Sequence, residues 1–338
     1  MNKVQQTNIA DNIINSLKIL VIQVNRQCNL RCIFCCNEDG NKSISLPIEK
    51  VKELIKTFPN LGVLILTGGE SLIYVNYVFE ITEFAKKLNK KINVQVNTTG
   101  IILTDKILKR LIKSVNVIHV SVNTLKPDVF KYIKGANPLF MNLINKNIRK
   151  YIKAGFEVIV DNVVGKYNVG EVLEIYKKCE EWGVEDYAVS QMIINGRAKK
   201  EMLAEFPAFK KMIIDLLEHH KKRVEAGSTM RMELWCLYSE KLREYRNQIL
   251  DSKIPKSDTT VCCCGSSMLY ISAEGYVMPC SLGFNHDDYK DCNINKKSLS
   301  EILNQKPIFK LINRKLQLCH DNGVCKVFNK DIRGTFYD

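Results

Sequence analysis

Short apolar runs alternate with amphipathic stretches from about residue 18 to residue 200, and residues 19–24, 63–67, 92–97, 117–122, 157–163 and 186–192 read as strands. Several of these runs stay apolar at consecutive positions. A sheet with one wet face would alternate, so they predict parallel strands covered by helices. Between the strands, Ile48, Val51, Leu54, Ile55 and Phe58 recur at helical spacing behind Pro47, and Ile81, Phe84, Ala85 and Leu88 repeat the pattern. The resulting six βα units suit either a partial barrel or a doubly wound sheet, and periodicity does not choose between them.

Residues 201–250 read as charged helices without intervening strands, and residues 251–260, with Pro255, resemble a linker. The expected organisation is an N-terminal extension (1–17), the six-unit domain (18–200), a helical bridge (201–257) and a second unit (258–338). That last unit has too few apolar residues for a core of its own, so it is expected to need a bound metal to fold.

Composition narrows the class. Among 338 residues the longest apolar runs, such as 61–66, stop far short of a membrane span, and the first twenty residues are too polar for a signal peptide. A cytoplasmic protein is expected. Fifty Lys and Arg against thirty-six Asp and Glu give a formal charge of +14, which favours an acidic peptide, a phosphorylated small molecule or nucleic acid. The lysines are spread through nearly every helical segment with no basic stripe interleaved with aromatics, so nucleic acid is not the expected partner.

The thirteen cysteines change the picture most. Four lie within residues 28–36 and seven from residue 262 onward, with Cys179 and Cys236 alone in helix-like segments. In a chain without an export signal such clusters point to metal ligation rather than disulfides. Cys28, Cys32 and Cys35 form a CxxxCxxC loop directly after the first strand. Three thiolates in so short a loop can grip three irons of a cubane cluster and leave the fourth iron open, although thiolates at short spacing also suit tetrahedral zinc. Cys36 falls outside the spacing and reads as a bystander, and the five histidines show no ligand spacing.

This loop resembles that of the radical S-adenosylmethionine (SAM) superfamily, down to Phe34 before the third cysteine and the wording Cys28-Asn29-Leu30-Arg31-Cys32. The resemblance implies a partial (β/α)6 TIM-like barrel. It also implies a 4Fe-4S cluster on Cys28, Cys32 and Cys35 whose open iron chelates SAM, and reductive cleavage to a 5′-deoxyadenosyl radical that abstracts a substrate hydrogen. A flavodoxin- or ferredoxin-type protein would supply the electron.

Further motifs carry the resemblance along the chain. Thr67-Gly68-Gly69-Glu70-Ser71 follows the second strand, where paired glycines allow close backbone approach and an acid can accept from an ammonium group. It is similar to the family's GGE motif, which implies that Glu70 meets the SAM ammonium. Asn97-Thr98-Thr99-Gly100 resembles the family's third-strand end, and Ser121 and Asn123 occupy SAM-contacting positions. The family's acid and Arg-Gly are here Asn123 and Lys134-Gly135, which replaces a bidentate clamp by a point charge. Asp161-Asn162, Gln191-Met192 and the Gly196-Arg197-Ala198 turn, a turn frequent in peptide-modifying members, complete the series. The implied SAM-facing set is Phe34, Gly68, Gly69, Glu70, Asn97, Ser121, Asn123, Lys134, Asn162 and Met192, with Gln191 and Met192 equally readable as packing residues.

The segment from Cys262-Cys263-Cys264-Gly265 through Gly275-Tyr276-Val277-Met278-Pro279-Cys280 resembles the opening of a SPASM domain, with the second stretch as a hairpin. Leu316 and Asn329 stand where a full domain has further cysteines, so the resemblance implies the shortened, twitch-type form. One auxiliary 4Fe-4S cluster is then expected on Cys262, Cys280, Cys319 and Cys325, with Cys264 the rival of Cys262; structural zinc would also fit four thiolates. Cys236 is a candidate hydrogen donor, as in some peptide epimerases, or a buried free thiol.

Relatives of this kind act on peptides or on small molecules. Modification of a ribosomally made peptide, by epimerisation, cross-linking or oxidation, is the leading expectation, which the charge and the helix-rich bridge favour. The small room before residue 18 for a leader-binding domain counts against a self-sufficient maturase. Small-molecule dehydrogenation or epimerisation is the alternative, and a non-catalytic iron–sulfur or zinc sensor is the alternative of another class.

Overall fold

The computed structural model describes residues 9–37, 40–235, 267–280 and 289–305. Six βα units stand where the apolar runs predict them. The strands are β1 (Ile19–Gln23), β2 (Val63–Thr67), β3 (Asn93–Thr98), β4 (Val117–Ser121), β5 (Glu157–Val164) and β6 (Asp186–Gln191). Each pairs in parallel with the next, so the order along the sheet is the order along the chain. This choice of barrel over doubly wound sheet places all six strands' C-terminal ends, and their βα loops, at one mouth.

The helices are α1 (Ile9–Ser16), α2 (Ile48–Thr57), α3 (Val75–Leu88), α4 (Asp105–Leu111), α5 (Pro127–Lys134), α6 (Phe140–Lys153), α7 (Val172–Trp182), α8 (Phe206–Glu225) and α9 (Leu299–Gln305). Their start signals are local. Pro47 precedes α2, Thr104 caps α4 by accepting from the Ile107 amide, and Pro127 opens α5. Their apolar stripes cover one face of the sheet, where Leu20, Ile22, Leu64, Leu66, Val94, Val96, Ile118, Val120, Val158 and Val160 form a continuous core. The alternate residues face the barrel interior, and toward the mouth many of them are polar: Gln23, Thr67, Gln95, Asn97, His119, Ser121 and Asp161.

The stretch expected to hold only helices contains a strand. After α8, β7 (Arg231–Trp235) pairs in parallel with β6. The signal lay in the alternation Met230-Arg231-Met232-Glu233-Leu234, with Met230, Met232 and Leu234 in the core, which the surrounding charge obscured.

A further strand, β8 (Met268–Ile271), adds beside β1 in parallel and turns back into β9 (Val277–Met278). The sheet of the described residues thus has nine strands in the order β7-β6-β5-β4-β3-β2-β1-β8-β9 and does not close. The expected Gly-Tyr-Val-Met-Pro-Cys hairpin is therefore present. Its apolar residues Leu269, Tyr270, Ile271, Val277 and Met278 do not build a core of their own; they join the barrel's. Across the back, α9 packs on α1, and the Asn304 side chain accepts from the Ala10 amide at 3.1 Å.

The strand starts are sealed by charge. Arg231 reaches Glu157, Glu185 (3.3 Å) and Asp186 (3.3 Å), yet Asp186 Oδ1 is buried without a hydrogen-bond partner. Burial, reinforced by the Glu233 charge and opposed by Arg231, pushes the Asp186 carboxyl up to about 7 from 3.8. A folded-state value above the unfolded one means that the associated stability is full below pH about 4 and is lost as pH rises through about 7. Asp186→Asn should therefore flatten the stability profile over this window and gain on the order of 2 kcal/mol relative to wild type at pH 8, as urea denaturation would read.

Candidate functional site

The loop after β1, which carries the cysteines, has few apolar residues to hold it in place. It is held instead by main-chain bonds from three neighbouring βα loops. From the β2 side, the Gly69 amide donates to the Asn25 carbonyl (2.9 Å), the Glu70 amide to the Gln27 carbonyl (2.8 Å) and Asn25 Nδ2 to the Glu70 carbonyl (3.0 Å). From the end of α5, the Lys134 and Ile133 carbonyls accept from the Arg31 and Ile33 amides at 2.9 Å each. From the turn after β6, the Arg197 amide donates to the Cys35 carbonyl (3.0 Å), while its guanidinium donates to the carbonyls of Cys32 (2.9 Å) and Asn37 (3.1 Å). Arg26 and Asn37 bind each other across the base of the loop, at 2.9 and 2.6 Å.

Two glycines are required by this packing. A Cβ on Gly69 would lie 2.2 Å from the Gln27 carbonyl oxygen, and one on Gly196, whose φ is +60°, would lie 2.5 Å from that of Cys35. The space of the side chains missing at Gly68 and Gly69 is filled by the cysteine loop itself. The Gly196-Arg197 turn, a weak signal in the sequence, is one of the loop's three anchors.

The thiols of Cys28, Cys32 and Cys35 are free and partly buried. Amides of Leu30 and Asn37 donate to Cys28 Sγ and Cys35 Sγ, both at 3.4 Å. Burial pushes the Cys28 thiol up to about 11 and raises that of Cys32. Cys35 goes the other way, lowered to about 6 by a hydrogen bond with Cys36, against burial and with help from the Asn37 amide, Arg197 and Lys134. Cys36 is therefore a hydrogen-bond partner of Cys35 and not a bystander. Lys134 is 2% exposed, with its ammonium 5.9 Å from the Phe34 ring centroid, and its charge, like that of Arg197, draws Cys32 toward the thiolate. This buried point charge stands where the resemblance expects an arginine.

Glu70 is held by donors of the protein itself. It is 0% exposed, and its carboxylate accepts from the Leu72 amide (2.9 Å), Thr98 Oγ1 (2.8 Å) and the Thr99 amide (2.6 Å). Burial still holds its pKa above the ordinary carboxylate range. The side chain ties the β2 loop to the end of β3, and its donors come from the protein. The Asn162 side chain lies on the helix-covered side, bonded to Tyr187 OH (2.7 Å) and Asn168 (3.3 Å), and the neighbouring Asp161 faces the interior. Met192 is buried against Gly165, a packing contact.

Asn97 and Asn123 have side chains that the protein leaves incompletely bonded. Both carry a buried amide oxygen with no protein partner, at the C-terminal ends of β3 and after β4, with Ser121 between them in partial exposure. A buried acceptor left unsatisfied costs about 1–3 kcal/mol, so a ligand rich in hydroxyl and ammonium donors suits the place.

One group escaped sequence reasoning. His119 on β4 is 5% exposed, with Nδ1 3.2 Å from Asp161 Oδ2 and Nε2 2.9 Å from Gln95 Oε1. Burial opposes its charge, but Asp161 outweighs burial and leaves the imidazole above its ordinary pKa. No motif marks it, because its partners come from two other strands, β3 and β5.

The C-terminal hairpin approaches the same mouth. Glu274 at its turn pairs with Arg26 of the cysteine loop at 2.7 Å, and Cys280, partly buried, ends its described part. Cys292 is buried in the core. Cys236, Cys262, Cys264, Cys319 and Cys325 lie outside the described residues. Among the described residues no three Cys, His, Asp or Glu side chains converge on a single ion.

Residues 22–197 match the family model of the radical SAM superfamily. The chain belongs to this superfamily. Its cofactors are SAM and a 4Fe-4S cluster, and residues 262–326 match the SPASM model, an iron–sulfur cluster-binding domain, which adds auxiliary cluster binding. Among curated relatives, a probable GTP 3′,8-cyclase of Methanococcus aeolicus is 31% identical over 193 residues, covering 54% of this chain and 62% of that protein. The GTP 3′,8-cyclase of Clostridium perfringens strain 13 is 24% identical over 301 residues, 84% of this chain and 87% of that one. Among solved structures, Streptococcus suis SuiB bound to its precursor peptide SuiA superposes with a TM-score of 0.71 at 17% identity, covering 92% of this chain and 72% of SuiB. In this radical SAM protein no described helix is long and apolar enough to cross a membrane.

The loop anchors can be tested directly. Gly69→Ala and Arg197→Met should each leave the helical circular dichroism unchanged while lowering the iron retained after anaerobic reconstitution several-fold. Unchanged iron and sulfide in both variants would contradict the assigned role of these anchors.

Proposed function

We propose that the protein is a peptide-modifying radical SAM enzyme whose 4Fe-4S cluster is held by Cys28, Cys32 and Cys35, with SAM seated toward Asn97, Ser121 and Asn123. The bound cofactors supply a 5′-deoxyadenosyl radical, and the chain's own residues provide position and exclusion of water. Lys134 and Arg197 offset the negative charge of three thiolates. The amides of Leu30 and Asn37 stabilise the sulfurs of Cys28 and Cys35. Glu70 fixes the Thr98-Thr99 corner beside Asn97. Cys262, Cys280, Cys319 and Cys325 are proposed to hold an auxiliary 4Fe-4S cluster, and a hydrogen-donating role for Cys236 would belong to an epimerising reaction.

The observation that carries the assignment is the convergence of three βα loops on one short loop bearing three free thiols at the barrel mouth. A peptide substrate is compatible with the open sheet, whose described strands end at β7 and β9. It is supported by the likeness to SuiB, a structure that holds its precursor peptide. A small-molecule substrate is the second reading, favoured by the GTP 3′,8-cyclases among the relatives.

Anaerobically reconstituted wild type should bind about two cubane clusters and form 5′-deoxyadenosine from SAM under reduction, while a Cys28/Cys32/Cys35→Ala variant should keep about one and form none. Asn97→Ala and Asn123→Ala should each weaken SAM binding about tenfold in calorimetry, near 1.4 kcal/mol, and Met192→Leu should not. Deuterium appearing in 5′-deoxyadenosine from a uniformly deuterated peptide digest would support the peptide reading. Label arriving from deuterated nucleotide alone would replace it with the second.

A further inference from the structure

The cysteine loop has a fourth support, and it comes from the C-terminal hairpin. Where the loop ends, Asn37 is 5% exposed. Its amide donates to Cys35 Sγ (3.4 Å) and its carbonyl accepts from Arg197 (3.1 Å). Its side chain accepts from Arg26 Nε (2.9 Å) and donates to the Arg26 carbonyl (2.6 Å), so the orientation of Asn37 depends on Arg26. Arg26 in turn is fixed by Glu274, Nη1 to Oε1 at 2.7 Å, with the two side chains only 14% and 19% exposed. The turn that carries Glu274 is itself clamped. The Glu274 carbonyl accepts from Asn293 Nδ2 (3.0 Å) and Asn295 Nδ2 (2.9 Å), and the Ala273 amide donates to Gln23 Oε1 (3.0 Å) at the end of β1. An unbroken bonded path therefore runs from the β8–β9 turn to a cysteine sulfur, through Glu274, Arg26, Asn37 and Cys35.

The hairpin does not need this ion pair to stay in place. Strand β8 pairs with β1, and Leu269, Ile271 and Val277 lie in the core. A partly buried ion pair adds little net stability, because desolvation offsets attraction. What the pair fixes is direction. Hydrogen bonds weaken steeply as they bend, and N–H donors to the sulfurs of an iron–sulfur cluster favour its more negative reduced state and so raise its reduction potential. We propose that Arg26 and Glu274 are positioning residues for reductive cleavage: through them the C-terminal hairpin holds the Asn37 amide on Cys35 Sγ and sets the reduction potential of the cluster on Cys28, Cys32 and Cys35. The inference deepens the function proposed above and rests on its placement of the cluster.

Anaerobically reconstituted wild type, Arg26→Gln, Glu274→Gln and Glu274→Ala are titrated with dithionite at controlled potential. The reduced cluster is followed by electron paramagnetic resonance, through the signal that SAM perturbs. Glu274→Gln and Glu274→Ala lose the same charge, but only glutamine keeps an oxygen that accepts from Arg26, so their difference reads position alone. At a fixed potential the ratio of reduced to oxidised cluster should be about three- to tenfold lower in Glu274→Ala than in Glu274→Gln. Arg26→Gln should fall below wild type by at least as much. In an Arg26→Gln background the two Glu274 variants should coincide, since nothing remains for position 274 to hold. The ratio is read per loaded cluster, so a variant that retains less iron still gives a result.

Equal ratios in Glu274→Gln and Glu274→Ala would overturn the proposal by reducing the carboxylate to a distant charge, as would a wild-type ratio in Arg26→Gln. A difference between the two Glu274 variants that persists in the Arg26→Gln background would overturn the path through Arg26. A SAM-perturbed signal that survives in the Cys28/Cys32/Cys35→Ala variant would reject the cluster placement itself, a failure separate from those outcomes.

Discussion

A short polar loop that must present three thiols at fixed positions cannot hold its shape by burying side chains, because the thiols themselves must stay free for metal. In this chain the solution is main-chain pairing to neighbours that the barrel has already placed. The loops after β2 and β6 and the end of α5 each donate or accept backbone bonds along residues 25–37. All of them rise from the same end of a parallel sheet, which is why this fold suits the task. The order of the strands thus determines which loops reach the cysteines, and the rest of the mouth is arranged around that grip.

Charge follows from the same arrangement. Three thiolates are costly to bury, and the two anchors that pin the loop, Lys134 and Arg197, also carry the positive charge that offsets them. One residue at each anchor thereby serves geometry through its backbone and electrostatics through its side chain. The Arg231 network lies at the opposite end of the strands, with the His119–Asp161 pair between the two ends.

Much of this was legible in the sequence. The period of the apolar runs placed β1 to β6 within a residue or two, because parallel strands covered by helices leave a local apolar signature. The CxxxCxxC spacing marked the site, because three ligands of one cluster had to be close in sequence. What the pattern could not reveal is where a motif residue points. Glu70 and Asn162 are polar residues at the expected strands, but their partners are distant in sequence: Glu70 accepts from the Thr99 amide and Asn162 donates to the Tyr187 hydroxyl. Strand β7 was hidden because its alternation sits within a charged segment. His119 was invisible because its partners lie on β3 and β5.

The parallel pairing of β8 with β1 has a consequence for how the molecule is made. The strand that covers this edge of the sheet comes long after β1 in the chain, and Glu274 meets Arg26 at a separation of 248 positions. Contacts of such separation form late and slowly. While the ribosome is still extending the chain, the cysteine loop therefore stands with one flank bare, and α1 waits for α9. Metal delivered before release would meet an incomplete and open mouth. The topology thus orders assembly, with the pairing of β8 and the docking of α9 as its late steps.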